Sequence, residues 1–211
     1  MPIATKIKPL PAIAQSSATD LNWRQMLGKR QFYVAYGFVF GASVPAFILL
    51  SHAGYLSGGI GSEDAYVLAW LTSVFGVANA VGRMSAGIVS DYLGRKKILL
   101  ISLFIETIGL ALLVFFANGM LLLGIVFGLI GYAFGAAMGV MPAWVSDQFG
   151  IRHSGLNYGI LITGVSIAGI LGPMGFLGLE KMTGSQDSAL AVFLVVLGVL
   201  VVLISADRKI R

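Results

Sequence analysis

Six apolar stretches occupy most of this 211-residue sequence and restrict what the chain can fold into. They lie at about 32–52, 65–89, 98–117, 119–145, 156–178 and 188–206. Each approaches or exceeds the ~20 residues that a helix needs to cross a ~30 Å hydrocarbon layer. Hydrophobic residues form 57% of the chain and charged residues 11%, a balance that is untypical of a water-soluble domain. The sequence therefore predicts an all-α membrane protein with six transmembrane helices.

The segments that connect these spans differ in their Lys and Arg content. Twelve of the 14 basic residues lie before the first span, in the second and fourth connections, or after the last span. Cytoplasmic loops retain Lys and Arg, so both termini are expected in the cytoplasm, in a cell (plasma or inner) membrane. We expect a cytoplasmic tail at 1–31, the membrane bundle at 32–206 and a second cytoplasmic tail at 207–211. Within the first tail, residues 23–27 predict a short amphipathic segment at the interface, with Trp23 as its anchor.

The residues that usually carry chemistry exclude several classes of protein. The chain has no cysteine, and His52 and His153 are too far apart in sequence to suggest a metal motif. No Ser-His-Asp set and no phosphate-binding loop are present in the sequence. The basic residues form no face with interleaved aromatics, which argues against nucleic acid. We therefore expect no enzyme, no metal, no cofactor and no nucleic-acid partner, and a lipid bilayer as surroundings.

Small residues are regularly spaced in two of the spans. The fourth span carries glycine at 124, 128, 131, 135 and 139, all on one helical face, and the fifth has Gly164, Ala168 and Gly172. This spacing lets a second helix backbone approach closely. We expect tight packing at both faces, and a second interpretation, that the smooth contact lets two helices rock, stays open.

Two stretches that leave the membrane resemble each other, VSDYLGRK at 89–96 and VSDQFGIRH at 145–153. From this similarity we expect a chain built from two three-helix units. Since three is an odd number, the second unit would be inverted relative to the first, an arrangement typical of transporters.

The second connection has the pattern G-x-x-x-D-x-x-G-R-K-K, formed by Gly87, Asp91, Gly94, Arg95, Lys96 and Lys97. Gly94 can take the positive φ of a tight turn, and the basic trio suits a cytoplasmic anchor. Asp91 can meet Arg95 or the positive end of a neighbouring helix in one conformation and lose that partner in another. The loop is thus a candidate conformational switch, and a simple solvated loop is the alternative.

This loop resembles the signature that the major facilitator superfamily carries between the second and third helices of each half. More narrowly, W-x-Q-M-L at 23–27, NAVGRMSAGIVSDYLGRKK at 79–97, and DQFGIRHSGLNYG at 147–159 with the later ILGP resemble the C-terminal half of the oxalate/formate antiporter family and its monocarboxylate relatives. The resemblance implies a secondary transporter that moves a small organic anion by alternating access.

Members of that superfamily usually have twelve helices, whereas six are predicted here. The resemblance therefore implies that residues 1–31 correspond to the central linker and that an N-terminal six-helix half is missing. We expect a partner, either a separately encoded half or a second copy of this chain, and a truncated gene or a misassigned start is the remaining explanation. The alternative function is a non-transporting membrane protein, either a remnant or a receptor-like partner of a full-length transporter.

Arg83 lies inside the second span, six residues before Val89 and roughly 9 Å from the end of the apolar stretch. A charge at that depth needs a polar cavity or a partner. In the resembled family an arginine at this point binds the substrate carboxylate, so Arg83 is the expected anion ligand, with Asn79 one turn earlier on the same face. An arginine that pairs with Asp91 or extends to the interface is the alternative.

The fifth span supplies the other expected contacts to the anion. Oxalate-specific members of the resembled family have a lysine near the position of Val165 here, and this chain has none in that span. One arginine suits one carboxylate, so a monocarboxylate is expected, with hydroxyl contacts from Thr163 and Ser166.

Glu106 lies near the middle of the third span, inside the apolar stretch. An ionised and unpaired carboxylate would be costly there, so Glu106 is expected to be protonated, paired or in contact with water. A protonated Glu106 is a candidate for proton coupling. The alternative is a neutral side chain that bonds to Thr107 or to a serine.

The topology gives the first testable prediction. Cysteines introduced at Ser57 and Gln186 should react with an impermeant thiol reagent that is added outside intact cells, and a cysteine at Gln15 should not, because positive-inside topology places position 15 in the cytoplasm. Lysed cells provide the positive control for Gln15→Cys. Labelling at position 15 in intact cells would reverse the predicted orientation.

Overall fold

The computed structural model describes residues 20–56, 65–116 and 119–206, and in these ranges the chain forms eight helices and no strand. Six helices are long and apolar enough to cross a membrane: α2 (Arg30–Ser51), α4 (Ala65–Leu93), α5 (Arg95–Phe116), α6 (Met120–Phe149), α7 (Ser154–Thr183) and α8 (Gln186–Ala206). The other two are short: α1 (Trp23–Leu27) and α3 (Ala53–Leu56). The six predicted spans are confirmed, and the amphipathic segment at 23–27 forms the short helix α1. Residues 1–19 and 207–211 of the two predicted tails lie outside the described residues.

Three of the helices run several residues past the apolar stretches that predict them. Helices α4, α6 and α7 end at glycines with positive φ, namely Gly94 (91°), Gly150 (90°) and Gly184 (71°). Helical hydrogen bonding continues until such a residue stops it, and a residue with a Cβ is strained in this conformation. The positive φ expected at Gly94 is therefore confirmed. As a consequence, Asp91 and Asp147 lie on helices and not in loops.

The helices pair across the two halves of the chain. Helix α4 packs mainly against α6, and α7 packs mainly against α2. One three-helix unit is α2, α4 and α5, and the other is α6, α7 and α8. The second helix of each unit therefore contacts the first helix of the other unit. This exchange is expected of two units related by inversion. The inversion is approximate, because the large α5–α6 contact has only a small counterpart between α8 and α2.

The similarity between the two VSD stretches has a local cause. The backbone N–H of Gly94 donates to the carbonyl oxygen of Ser90, and that of Gly150 donates to the carbonyl oxygen of Ser146, each over 3.0 Å. Both stretches therefore end a helix in the same way. They follow the second and fourth spans, which are not equivalent positions in two three-helix units, so the helix pairing indicates the repeat and this similarity does not.

The glycine face of α6 lies directly against the backbone of α4. Three glycines meet the main chain of three α4 residues: Gly131 with Phe75, Gly135 with Asn79, and Gly139 with Arg83. A Cβ placed on Gly139 would lie 2.6 Å from the carbonyl oxygen of Arg83, well inside van der Waals contact. In the other direction, Gly82 of α4 meets the backbone of Tyr132. The predicted close approach is confirmed, and its partner is the helix that carries Arg83.

Helix α7 uses its small residues in the same way against α2, at slightly greater distance. A Cβ on Gly164 would lie 3.3 Å from the ring of Tyr36, and a Cβ on Gly172 would lie 3.3 Å from the carbonyl oxygen of Val44. Ala168, between them, is fully buried. The small-residue face of the fifth span is therefore a packing face, as predicted.

The segment before α2 is tied to the connection between α6 and α7. The N–H of Leu21 donates to the carbonyl oxygen of Phe149 over 2.9 Å, and the buried side chain of Asn157 donates back to the carbonyl oxygen of Leu21 over 3.0 Å. Met26 of α1 is fully buried in the same region. These contacts place the start of α2, the α4–α5 turn and the α6–α7 turn at one end of the bundle. We call it the basic end, after Arg24, Lys29, Arg30, Arg95, Lys96, Lys97 and Arg152.

Substitution of one glycine tests whether the α4–α6 contact holds the bundle. Gly135→Ala should destabilise the protein by about 1–3 kcal/mol, because its Cβ would overlap the backbone of Asn79 and overpacking costs that much. The measurement is thermal unfolding in detergent micelles.

Gly178→Ala in α7 is the matched control. Gly178 has open space where a Cβ would lie, so alanine there should be neutral or stabilise the helix by up to ~1 kcal/mol. Equal unfolding temperatures for the two variants would contradict the steric origin of the contact.

Candidate functional site

Three of the six long helices, α4, α7 and α8, leave much of their surface uncovered by the bundle, and the uncovered surface of α8 is apolar. Helices α4 and α7 are each far less buried than α2 and α6. The predicted site residues Arg83, Thr163 and Ser166 lie on these uncovered surfaces and are exposed, and Asn79 is partly exposed. We call these surfaces of α4 and α7 the open face. A lipid-facing surface disfavours charged and polar side chains, so the open face is not an ordinary lipid surface.

Arg83 and Asn79 form one side of the open face. The Nε of Arg83 donates to the Oδ1 of Asn79 over 3.0 Å, across one helical turn. Their backbones lie against Gly139 and Gly135, so the glycine contact fixes the position of both residues. Arg83 lies about 15 Å along α4 from its end at Leu93, at 1.5 Å per residue.

The side chain that bonds to Arg83 is Asn79, and not Asp91 as the alternative interpretation of the sequence had it. Asp91 pairs with Arg95, and within residues 20–56, 65–116 and 119–206 no carboxylate lies within salt-bridge distance of Arg83. The bond to Asn79 uses one of the five N–H donors of the guanidinium. Arg83 is therefore a charged side chain at membrane depth with donors available for an anion.

The α7 side of the open face carries hydroxyl groups. The hydroxyl of Tyr36, from α2, lies 3.1 Å from the Oγ1 of Thr163, which also donates to the carbonyl oxygen of Ile160. Tyr158 lies on the same helix, partly exposed, five residues before Thr163. Ser166 is exposed one helical turn beyond Thr163.

A second polar site lies at the basic end, where Arg95 joins two helices. Its NH1 lies 3.3 Å from the carboxylate of Asp91 on α4, and its Nε donates to the carboxylate of Asp147 on α6. NH1 also lies 3.4 Å from the hydroxyl of Ser90. A cavity of about 270 Å³ surrounds this group, lined by Ser90, Asp91, Gly94, Arg95, Trp144, Asp147 and Gln148.

This ionic link is suited to a reversible contact. The side chains of Asp91 and Asp147 are 63% and 54% exposed, and exposed ion pairs contribute about 0–1 kcal/mol because water screens them. Arg95 is the first residue of α5, so this weak link connects the α4–α5 turn to α6 and can break when the turn and α6 move apart. Of the other predicted loop residues, Lys97 is exposed, Lys96 is partly exposed, and Gly87 has open space around its Cα.

Glu106 is separate from both sites. Its side chain is completely buried, and neither carboxyl oxygen has a hydrogen-bond partner among the residues that the structure describes. Thr107 donates to the carbonyl oxygen of Leu103, and Ser102 donates to that of Leu99. The alternative of a neutral Glu106 bonded to Thr107 or to a serine is therefore wrong for the described part of the chain, because these hydroxyls bond to the helix backbone.

Sequence reasoning missed Asp147, Tyr36 and Tyr158. The repeated VSD stretch was a usable signal for Asp147, because it places a second carboxylate at the end of a helix on the same side of the membrane. The two tyrosines gave no such signal, and the hydroxyl of Tyr36 meets Thr163 only through the packing of α2 against α7. In the described ranges, no group of three or more His, Asp or Glu side chains is placed to hold a metal ion.

Comparison with known proteins assigns the chain to a family. The model of the Major Facilitator Superfamily matches residues 32–208. The chain is similar to the uncharacterized MFS-type transporter YhjX of Escherichia coli (strain K12), with 24% identity over 151 residues, which are 72% of this chain and 38% of that protein. It is also similar to an uncharacterized transporter of Buchnera aphidicola subsp. Schizaphis graminum (strain Sg), with 34% identity over 121 residues, 57% of this chain and 29% of that protein. The matched region thus spans less than half the length of these relatives.

The ionic link gives a prediction about movement. Asp91→Asn and Asp147→Asn should each lower the rate of transport while membrane abundance stays near the wild-type level, because exposed ion pairs contribute little to stability. The double variant should lose little more than either single variant, since both carboxylates act through Arg95. Initial uptake rates and immunoblots of membrane fractions measure the two quantities.

The matched control is Asp187→Asn, which removes a carboxylate in the first turn of α8, away from the basic end. It should leave the transport rate unchanged. A parallel loss of abundance and activity in the Asp91 and Asp147 variants would instead make the link a folding contact.

Proposed function

Because the chain belongs to the Major Facilitator Superfamily, we propose that it is a secondary transporter, or the C-terminal half of one, that carries a small organic anion. Alternating access is the expected mechanism, with the substrate held between two membrane units near the bilayer midplane. Proteins of this superfamily are generally carriers and not enzymes. The open face is the surface of this chain that would line the substrate path.

One observation carries the anion assignment. Arg83 presents an exposed guanidinium at membrane depth, and within the described ranges no carboxylate neutralises it. Such a charge is costly in hydrocarbon, so its retention on an uncovered surface favours a functional anion partner. The planar guanidinium can bind a carboxylate through two parallel hydrogen bonds, and Asn79 holds it at Nε so that its orientation is defined.

A monocarboxylate fits this arrangement better than a dianion. The open face offers one guanidinium, and the α7 side adds neutral hydroxyls from Thr163 and Ser166 and from the tyrosines near them. Position 165, where the resembled oxalate carriers have a lysine, is a valine. We also propose that the chain is related to the oxalate/formate antiporters and that it exchanges one anion for another.

The open face also supports a partner unit. The relatives that the chain matches are more than twice as long as the matched region. Polar residues on the uncovered surfaces of α4 and α7 would meet hydrocarbon unless a second unit and water faced them. We therefore propose that a separately encoded six-helix half, or a second copy of this chain, covers the open face.

The basic end supports the proposed orientation. The structure gathers Arg30, Arg95, Lys97 and Arg152 at one end of the bundle, whereas Lys181 and the carboxylate of Asp187 lie at the other. Short cytoplasmic segments retain Lys and Arg, so we propose that this end faces the cytoplasm of a cell membrane.

Substitution of Arg83 tests the anion assignment. Arg83→Lys keeps the positive charge but loses the planar fork of donors, so uptake of labelled monocarboxylates should fall by about tenfold or more, the factor that corresponds to the loss of about 1.4 kcal/mol. Arg83→Ala should abolish uptake. The measurement is uptake by vesicles that contain the assembled transporter, with the matching amides as neutral test compounds.

Arg152→Lys is the matched control, because Arg152 is an exposed arginine at the basic end and away from the open face. This variant should transport as the wild type does. If Arg83→Lys also keeps wild-type uptake and wild-type preference for acids over amides, Arg83 is a structural residue and the anion assignment fails.

A further inference from the structure

The ionisable group that the proposed function leaves unused is Glu106. It lies near the centre of α5 on the face that also carries Ser102, Leu103 and Gly109, and all of these residues are buried. The carboxyl group is fully enclosed and has no hydrogen-bond partner in the described part of the chain. An ionised carboxylate without a partner is costly in such surroundings, so they favour the neutral, protonated form of Glu106.

The helices packed against α5 supply no described counter-charge for this carboxyl group. Their charged and titratable side chains either bond elsewhere or lie near the helix ends. Arg83 bonds to Asn79, and Asp91 and Asp147 bond to Arg95. The hydroxyls of Tyr132 and Tyr36 bond to Ser85 and Thr163, and His52 bonds to the carbonyl oxygen of Ile48. The others lie in the terminal turns of their helices: Arg30, Tyr33, Tyr66, Tyr92 and Asp187. The proton on Glu106 is therefore the means by which its charge is neutralised.

A cavity one helical turn away offers a path for this proton. It measures about 200 Å³ and lies between α4, α5 and α6, with Ser102 and Tyr132 in its wall. Ser102 lies four residues before Glu106 on the same buried face of α5. The hydroxyl of Tyr132 lies 3.0 Å from that of Ser85 on α4. Ser102 and Tyr132 share the wall of this cavity, Tyr132 is hydrogen-bonded to Ser85, and Leu93 and Ile98 lie at the basic end of the cavity.

The helix contact that borders this cavity is the one most suited to movement. Helix α4 meets α6 through glycine and backbone, with Gly82 and Gly135 in contact with main-chain atoms of the opposite helix. A contact made through glycines and backbone can slide more easily than one made of interlocking side chains, and a tilt of α4 on α6 would change the width of the cavity. The weak ionic link through Arg95, the first residue of α5, connects the α4–α5 turn to α6 at the basic end.

We propose that Glu106 binds the proton that accompanies the transported anion, and that the cavity between α4, α5 and α6 is the route by which this proton reaches or leaves it. The inference rests on the proposed transport function. In the step, one carboxylate oxygen of Glu106 gains one proton and becomes a neutral acid, and the reverse step releases that proton. One proton and one monocarboxylate cross together and move no net charge, and one such crossing in each direction amounts to the exchange of one anion for another that the proposed function includes.

The first experiment measures the proton itself and does not depend on transport. Infrared spectra of the chain in lipid vesicles at neutral pH should contain the carbonyl band of a protonated carboxylic acid. Glu106→Gln should lose this band, Glu106→Asp should keep a shifted one, and the control Glu180→Gln should keep it unchanged. A wild-type spectrum without a Glu106-dependent band would overturn the proposal.

Deuterium exchange of the same band tests the route. Transfer of wild-type vesicles to heavy water should shift the band at a measurable rate. Ser102→Ala should slow that shift severalfold, because it removes the hydroxyl nearest to Glu106 on the cavity wall. The control Ser205→Ala removes an exposed hydroxyl on α8 and should have no effect. Equal exchange rates in the wild type and Ser102→Ala would overturn the cavity route.

The coupling is tested on the assembled transporter by two assays in parallel. Exchange of labelled for unlabelled monocarboxylate at equal pH reports transport, and accumulation driven by an acidic outside medium reports coupling. Glu106→Gln should keep exchange and lose the gradient-driven accumulation. If Glu106→Gln still accumulates substrate, proton coupling through Glu106 is wrong while transport stands. If the wild type performs no exchange, the proposed function fails and the infrared result still decides whether Glu106 binds a proton.

Discussion

The backbone contact between α4 and α6 is the constraint on which the rest of the structure depends. Glycines on α6 bring the main chain of α4 to a distance that no residue with a Cβ would allow, and Asn79 and Arg83 are two of the α4 residues held in this way. In a membrane no hydrophobic effect separates protein from lipid, so close van der Waals packing of this kind drives helix association. The same contact that holds the bundle together therefore sets the position of its one intramembrane arginine.

Much of the fold was predictable because a membrane-spanning helix requires a long stretch of apolar residues, which is visible in the sequence. The six spans, the small-residue faces of α6 and α7 and the left-handed glycine at position 94 follow from span length, periodicity and the steric freedom of glycine. The helix ends were predicted too early, since polar residues before Gly94 and Gly150 remain helical at the membrane surface. Hydropathy reports the apolar core of a span, whereas the position of a terminating glycine reports where the helix stops.

The site was only partly predictable, for a different physical reason. Arg83 and Asn79 share one helix, so their contact follows from the spacing of four residues, and the expected pairing of Asp91 with Arg95 follows from the same spacing. Asp147 and Tyr36 reach Arg95 and Thr163 from other helices. Their positions depend on how α4 and α7 are rotated against α6 and α2, which is a property of packing in three dimensions and is not contained in the local sequence.

Two kinds of interaction hold α4 near α6: a direct glycine contact, and an ionic link through Arg95, the first residue of α5. They differ in strength and in whether they survive a movement of the helices. The glycine contact is steric and smooth, so it tolerates a tilt but not a separation of the two helices. The Arg95 link is ionic, exposed and weak, and a tilt of a few ångströms breaks it. In the transport cycle proposed above, the steric contact would be kept and the ionic link lost as the helices tilt, and a ligand at Arg83 would favour the arrangement that it binds better. Since Arg83 lies on α4 and Glu106 lies on α5, a tilt of α4 would change the surroundings of both side chains, which is what the proposed coupling of an anion to a proton requires.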